Sequence, residues 1–204
     1  MGQIKTRSFK CPYCGQGRNI AVSDSINIDA QKEYKERMLK GNYFNCSCLS
    51  CNEVFKAEYP LLIENPSNNA LIYFVPPRER FKLDKVENMP AVNSFGKKLR
   101  IVNTQKELVE KIIEFDDHLE DIIIEYIKTV IFDGLERSQK NKVKDFFYIG
   151  MDEEVLKFVA PTRDGTYNIN VPKKIYTNYN QKFNIKESYK FVKIDKTNIN
   201  NYIF

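Results

Sequence analysis

The side chains with the most specific chemistry are five cysteines, Cys11, Cys14, Cys46, Cys48 and Cys51, all in the first quarter of the chain. Four of them form two C-x2-C pairs, Cys11–Cys14 and Cys48–Cys51. Two thiols three positions apart on a tight turn can aim both sulfurs at one tetrahedral ion, and a second such turn completes its shell. The gap between the pairs exceeds the roughly 15–20 residues common in paired knuckles. The first pair reads Cys11-Pro12-Tyr13-Cys14-Gly15, where Pro12 pre-sets the turn and Gly15 can take the positive φ that points backbone N–H groups at sulfur. The second reads Cys48-Leu49-Ser50-Cys51-Asn52, with Asn, the next-best left-handed residue, in the same place. Four thiolates leave no position for water, so the pattern predicts a structural Zn²⁺ site. Reversible metal or redox sensing, and a thioredoxin-like Cys11–Cys14 pair, are weaker readings, the latter because no βαβ context surrounds it.

Cys46 is left over. Residues two apart on a strand share a face, so Cys46 reads as a small buried hydrophobe near the metal, or as a spare ligand, since Cys46-x4-Cys51 is also knuckle spacing. An odd cysteine number is a poor disulfide framework. The first ten residues hold no apolar signal segment. A reducing, cytoplasmic setting is the expectation.

These residues must be positioned by elements. The chain has 204 residues, 42% hydrophobic and 13% aromatic, enough for packed cores and against disorder. No apolar run is long enough to span a membrane. Between the knuckles, Ile20, Val22, Ile26 and Ile28 alternate with polar residues as one or two strands. Residues 30–40 read as a helix stopped by Gly41, so the long gap holds a folded insert. Glu53–Ile63 reads as a strand with Pro60 at an edge or bulge, Asn65–Asn69 as a turn, and Leu71–Val75 as a returning strand. Residues 78–103 read as irregular and basic. Thr104-Gln105-Lys106-Glu107 is a capping box, followed by an apolar stripe of Leu108, Val109, Ile112, Ile113 and Phe115. A second helix starts near Asp116 or Asp117, with Leu119, Ile122, Ile123, Tyr126, Ile127, Val130 and Ile131 on one face. Strands follow over Asp145–Ile149 and Val155–Ala160, then an Asp164-Gly165 hairpin turn and a partner strand through Tyr167, Ile169 and Val171. Ile175–Tyr179 and Tyr189–Ile194 read as further strands.

The fold class is therefore α+β: an N-terminal zinc-ribbon sheet with a helical insert, a central helical pair and a small C-terminal antiparallel sheet. The expected divisions are 1–77, a basic connector at 78–103, a helical hairpin at 104–140 and a β lobe at 141–204.

Several of these pieces together resemble the CpXC protein family. They are Cys11-Pro12-Tyr13-Cys14-Gly15, the strand–helix insert, Gly41 with an aromatic pair, the second C-x2-C, Tyr59-Pro60-Leu61-Leu62, and the helical Glu107–Ile112 before an Asp116-Asp117 helix start. The resemblance covers roughly residues 7–135. Cys11, Cys14, Cys48 and Cys51 match the family's motif positions, while Leu49 and Asn52 stand where Pro and Gly are typical. It implies a bacterial, cytoplasmic zinc-ribbon protein and no particular activity.

No catalytic residue is assigned. His118 is the sole histidine. It sits among Asp116, Asp117, Glu120 and Asp121, which read as a solvated helix N-terminus complementing the helix dipole. Walker, Rossmann and H-E-x-x-H patterns are absent from the sequence. The net charge is +5, arranged unevenly: 16 basic against 10 acidic groups over 1–100, 5 against 10 over 101–140, and 11 against 7 over 141–204. Arg78, Arg80, Lys82, Lys97, Lys98 and Arg100 are the candidate nucleic-acid contacts, since clustered cations with aromatics hold phosphates and bases. Glu79, Asp84 and Glu87 dilute that patch. The expected function is a non-catalytic, zinc-stabilised interaction module with a protein partner; the alternatives are nucleic-acid binding through residues 78–100, and an enzyme with an unrecognised site. Self-association stays open.

Overall fold

The computed structural model describes residues 2–82, 86 and 96–204, without the side chains of 80–82. The chain divides into two compact units, Met1–Leu108 with Tyr189–Phe191, and Val109–Ser188 with Val192–Phe204. Its α+β content follows the expected order of N-terminal strands, central helices and a small C-terminal antiparallel sheet.

The first unit opens with two antiparallel hairpins. Strands β1 (Ile4–Lys10) and β2 (Gly17–Ser23) pair from Ile4↔Ser23 to Lys10↔Gly17. Strands β4 (Asn45–Ser47) and β5 (Val54–Lys56) pair from Asn45↔Lys56 to Ser47↔Val54. Between them lie β3 (Ser25–Asn27) and α1 (Lys32–Leu39). Helix α1 ends in a Schellman motif: Gly41, at φ 67°, donates to the Met38 carbonyl, and Asn42 donates to that of Arg37.

A separate mixed sheet carries the unit's core. Its order is β3-β6-β7-β8, where β6 is Leu61–Asn65, β7 Ala70–Phe74 and β8 Lys98–Val102. The outer pairs are parallel and the central pair antiparallel. One face buries Leu61, Ile63, Ile72 and Phe74, and Phe44 stacks on Phe74. The other sets Leu62, Leu71 and Tyr73 against Val75, Val86, Leu99, Ile101 and Phe191. Asn65–Asn69 turns as expected, through a short 3-10 helix closed by Asn69 at φ 50°. The strand expected over 53–63 is instead two strands, and Pro60 falls between them because it has no N–H to give a ladder. The expected irregular connector also fails at its end. Residues 98–102 form β8, paired with β7 from Ala70↔Lys98 to Phe74↔Val102.

The Thr104 capping box forms at the start of α2 (Gln105–Asp116), which begins in the first unit and continues into the second: Glu107 N–H donates to Thr104 Oγ1 at 3.2 Å, and Thr104 N–H to Glu107 Oε2 at 3.1 Å. The next helix, α3 (Asp121–Gly134), starts later than expected. Residues 116–118 do not open it; they end α2. His118 takes φ 56° and donates to the Phe115 carbonyl, while Leu119 donates to that of Glu114. This is a second Schellman stop, with apolar Leu119 buried at its end. A short turn of helix, α4 (Arg137–Lys140), precedes the sheet.

Strands β9 (Phe147–Met151), β10 (Val155–Pro161) and β11 (Thr166–Pro172) form an antiparallel sheet. The expected hairpin turn is present, with Thr162 N–H donating to the Gly165 carbonyl at 2.8 Å. Ile123, Ile124 and Ile127 of α3 pack against Tyr148, Leu156, Phe158 and Val171 of the sheet. Residues 175–179 are not a strand but part of α5 (Lys173–Lys182). Tyr176 and Tyr179 share a helical face, and Tyr179 and Phe183 stand edge-on to Tyr126. Tyr189–Ile194 forms no strand either. Val192 makes an isolated bridge within it, and an antiparallel bridge joins Ile185 to Ile203.

Candidate metal centre

Each C-x2-C pair occupies the tip of one hairpin, and the two tips use the same backbone. Cys11 N–H donates to the Gln16 carbonyl at 2.9 Å and Gly15 N–H to the Cys11 carbonyl at 2.9 Å. In the second, Cys48 N–H donates to the Glu53 carbonyl at 2.8 Å and Asn52 N–H to the Cys48 carbonyl at 3.0 Å. Gly15 has φ 76° and Asn52 φ 60°. Both turns thus close through a left-handed residue just after the second cysteine. Asn tolerates that region better than other side chains, and so Asn52 serves where glycine would be easier.

The tips bring four sulfurs together. Cys11, Cys14, Cys48 and Cys51 each place Sγ within 4.8 Å of the other three. Across the hairpins, Cys11 Sγ lies 3.7 Å from Cys51 Sγ, and Cys14 Sγ 3.6 Å from Cys48 Sγ. A tetrahedral ion with metal–sulfur bonds of about 2.3 Å needs its sulfurs about 3.8 Å apart. The donor set therefore fits a metal ion. Cys11 and Cys48 are buried, while Cys14 is exposed at the rim. Phe55, Ala57, Phe9 and Ile20 pack around the centre and keep its inner side dry.

The electrostatics point the same way. Backbone N–H groups of Ser50 and Cys51 lower the Cys48 thiol to about 6, the Ser50 bond measuring 3.4 Å. The Glu53 backbone N–H favours the Cys51 thiolate, but desolvation and the neighbouring thiols outweigh it and push Cys51 up to about 12. Sulfurs this close cannot all ionise beside one another, and a dication removes that repulsion.

The CpXC protein family model matches residues 9–128, over half of the chain and both knuckles. The chain belongs to the CpXC family. No curated protein and no solved structure matches it significantly. The matched CpXC region includes both hairpin tips, the mixed sheet and most of α2 and α3.

The other candidate residues fare differently. Cys46 stands outside the four-sulfur group. It pairs with Phe55 in the β4–β5 ladder, is half-exposed, and its thiol contacts the Ser47 carbonyl at 3.7 Å. Cys48 lies beyond the strand end, in the turn, and Cys46 packs against the cluster that holds Cys48 and Cys11. Of the basic set, Arg78 is exposed, and Lys97 and Lys98 are half-buried. Arg100 is a correction. It is fully buried in β8, with Nη1 donating to the Leu99 carbonyl at 3.3 Å, so it presents no cation to a phosphate. The side chains of Arg80 and Lys82 lie outside the described residues. His118 is exposed in its left-handed turn. Asp121, expected on a solvated helix start, is fully buried and paired with Lys111 at 3.2 Å.

Sequence reasoning missed a second group. Glu110, Lys111 and Glu114 of α2 and Asp121, Glu125 and Lys128 of α3 are all buried. Lys111 reaches Glu114 at 2.8 Å, and Lys128 reaches Glu110 at 3.0 Å and Glu125 at 2.8 Å. Glu110 also accepts the Tyr148 N–H at 2.7 Å. The spacing of three and four along each helix was the available signal, but it is shared with ordinary surface pairs. No helix among the described residues is long and apolar enough to cross a membrane.

Proposed function

We propose that the first unit is a zinc-stabilised interaction module whose partner is a protein. The observation that carries the metal half is the four-sulfur group, with cross-hairpin spacings close to those of a tetrahedral thiolate shell. Zn²⁺ suits an all-thiolate tetrahedron, and four protein ligands leave no open position for catalysis. The ion's role is to tie together two short hairpins whose ladders alone are marginal in water.

The partner half is supported by what the knuckles expose. Tyr13 is 64% and Leu49 81% exposed, each projecting from a tip that the metal holds. Large apolar side chains on a rigid tip are suited to burial against another protein. The test combines both halves. One Zn²⁺ per chain is expected by metal analysis, lost in Cys14→Ser. Proteins that co-purify with the untagged chain should be lost from a Tyr13→Asp/Leu49→Asp variant that keeps its zinc. Metal-free wild-type protein with unchanged folding overturns the first half, and an unchanged set of co-purifying proteins overturns the second.

A further inference from the structure

Beside the four-sulfur group, the first unit contains a cleft of about 470 Å³ between the β1–β2 hairpin, α1 and β4. That volume lies within the roughly 300–1,000 Å³ of small-molecule sites. Its lining includes Arg18, Arg37, Tyr34, Tyr43, Phe44 and Tyr59, with no carboxylate among the described lining residues. Both guanidiniums are anchored. Arg18 Nη1 donates to the Ser47 carbonyl, and Arg37 Nη2 to the Tyr43 carbonyl at 3.1 Å, with its guanidinium 5.6 Å from the centre of the Tyr43 ring. A guanidinium has five N–H donors, so a single carbonyl anchor uses only one donor of each cleft-lining arginine. The anchors also fix the direction in which the forks point.

The aromatic wall is equally ordered. Tyr34 meets Tyr43 edge-on at 5.7 Å, Tyr43 meets Phe44 at 4.9 Å, and Phe44 meets Tyr59 at 5.4 Å. The Tyr43 and Tyr59 hydroxyls lie 3.0 Å apart. In such a pair one O–H donates to the other oxygen, and the second hydrogen remains to donate elsewhere. Burial pushes both phenols above their ordinary range, so both keep their protons at neutral pH.

We propose that this cleft binds a small organic anion with a flat apolar body. Arg18 and Arg37 hold its acid group, and the Tyr34–Tyr43–Phe44–Tyr59 wall packs its body. Guanidinium forks match the planar or tetrahedral oxygens of carboxylates, sulfonates and phosphates. Edge-on tyrosines present ring faces and edges to a second aromatic system. The site is separate from Tyr13 and Leu49, so it stands or falls independently of the protein-partner reading.

The probe is 8-anilinonaphthalene-1-sulfonate, compared with N-phenyl-1-naphthylamine, which has the same rings without the acid. The sulfonate probe should bind the zinc-loaded protein at one per chain. The Arg18→Gln/Arg37→Gln variant should weaken it at least tenfold and change the neutral probe less than twofold. Ala21→Trp, which adds bulk to the cleft wall, should weaken both. Zinc content and circular dichroism show that each variant is folded, and Tyr13→Asp/Leu49→Asp should leave binding of both probes unchanged. The proposal is overturned if the sulfonate does not saturate at one site, if the arginine variant binds it normally, or if both probes weaken together in that variant. Displacement of the dye by a single-stranded oligonucleotide but not by benzoate or phenyl phosphate would reassign the cleft to a polymer and overturn it too.

Discussion

Asn52 and His118 hold left-handed backbone, at φ 60° and φ 56°, where glycine would pay less. A left-handed conformation costs a typical side chain about 1–2 kcal/mol, and glycine gives part of that back in unfolded-state entropy. His118→Gly should therefore stabilise the second unit by about 0.5–1 kcal/mol in denaturant unfolding; an unchanged or lower midpoint would contradict the Schellman account. Asn52→Gly should tighten zinc binding in a chelator competition, and Gly15→Ala should weaken it, since its added Cβ meets nothing within 4 Å and only the backbone objects. Cys46 supplies another test. With the other four thiols held by metal, iodoacetamide should modify Cys46 first, read by peptide mass mapping. First labelling at Cys14, the exposed member of the group, would mean that the shell is not closed. At this scale the first half of the chain was legible. The residue after each C-x2-C pair announced its turn because few residue types accept that backbone. His118 was not legible, because the acids around it read equally well as the start of the next helix. The deciding feature, Leu119 tucked under the end of α2, exists only once the helix packs.

The pairing of α2 with α3 depends on charge that a sequence cannot place. Glu110, Lys111, Glu114, Asp121, Glu125 and Lys128 look like solvated i, i+3 and i, i+4 pairs along each helix, yet all six are buried. Breaking such a group is costly, because the remaining charges lose their partners and stay out of water. Lys128→Met leaves Glu110 and Glu125 without their shared cation and should cost about 3–5 kcal/mol. Less than about 1 kcal/mol would mean that the pair is effectively solvated. The group also has a pH signature. Burial raises Glu110 to about 7, partly opposed by Lys128, and burial raises Glu114 in the same direction. A carboxyl raised in the folded state binds its proton more tightly there than when unfolded. Its contribution is full below its ordinary value, near 4.5, and is lost as pH rises towards 7. Attraction to the surrounding carboxylates holds Lys111 and Lys128 above the ordinary ammonium range, so both stay charged through that window. Stability of the second unit should thus fall between pH 4.5 and 7, and Glu110→Gln should flatten the slope; a wild-type slope of the opposite sign excludes this account. Two other elements were misread for reasons of range. Strand β8 carries Lys98 and Arg100 and becomes a strand only because β7 offers it a parallel edge. Helix α5 carries β-branched and aromatic residues that favour strands locally, but Tyr176 and Tyr179 find their packing one helical turn apart.

At the scale of the molecule, the thiols gather in one unit, while each unit keeps a core of its own. All five cysteines lie in the first, whose hairpins β1–β2 and β4–β5 carry the four-sulfur group at their tips. The second holds its own core of α3 and the β9–β11 sheet and contains no cysteine. The basic, acidic, basic order of charge along the sequence also changes meaning. Four of the ten acids in residues 101–140, Glu110, Glu114, Asp121 and Glu125, are enclosed with two lysines instead of facing solvent. The acidic middle is in part a core feature, so it says less about partners than its sequence count suggests. Metal removal should separate the two kinds of stability. A chelator strong enough to strip a thiolate site converts the knuckles into two short, unbraced ladders, and the free energy of metal binding is returned as lost folding free energy there. Limited proteolysis after chelation should cut first around Cys11–Cys14 and Cys48–Cys51, while fragments spanning 109–188 persist and helical circular dichroism declines only modestly. Restoring zinc before the protease is added should restore protection. Equal loss of both units on chelation would show that the metal supports the whole chain, and no change in cleavage would show that the hairpins stand without it.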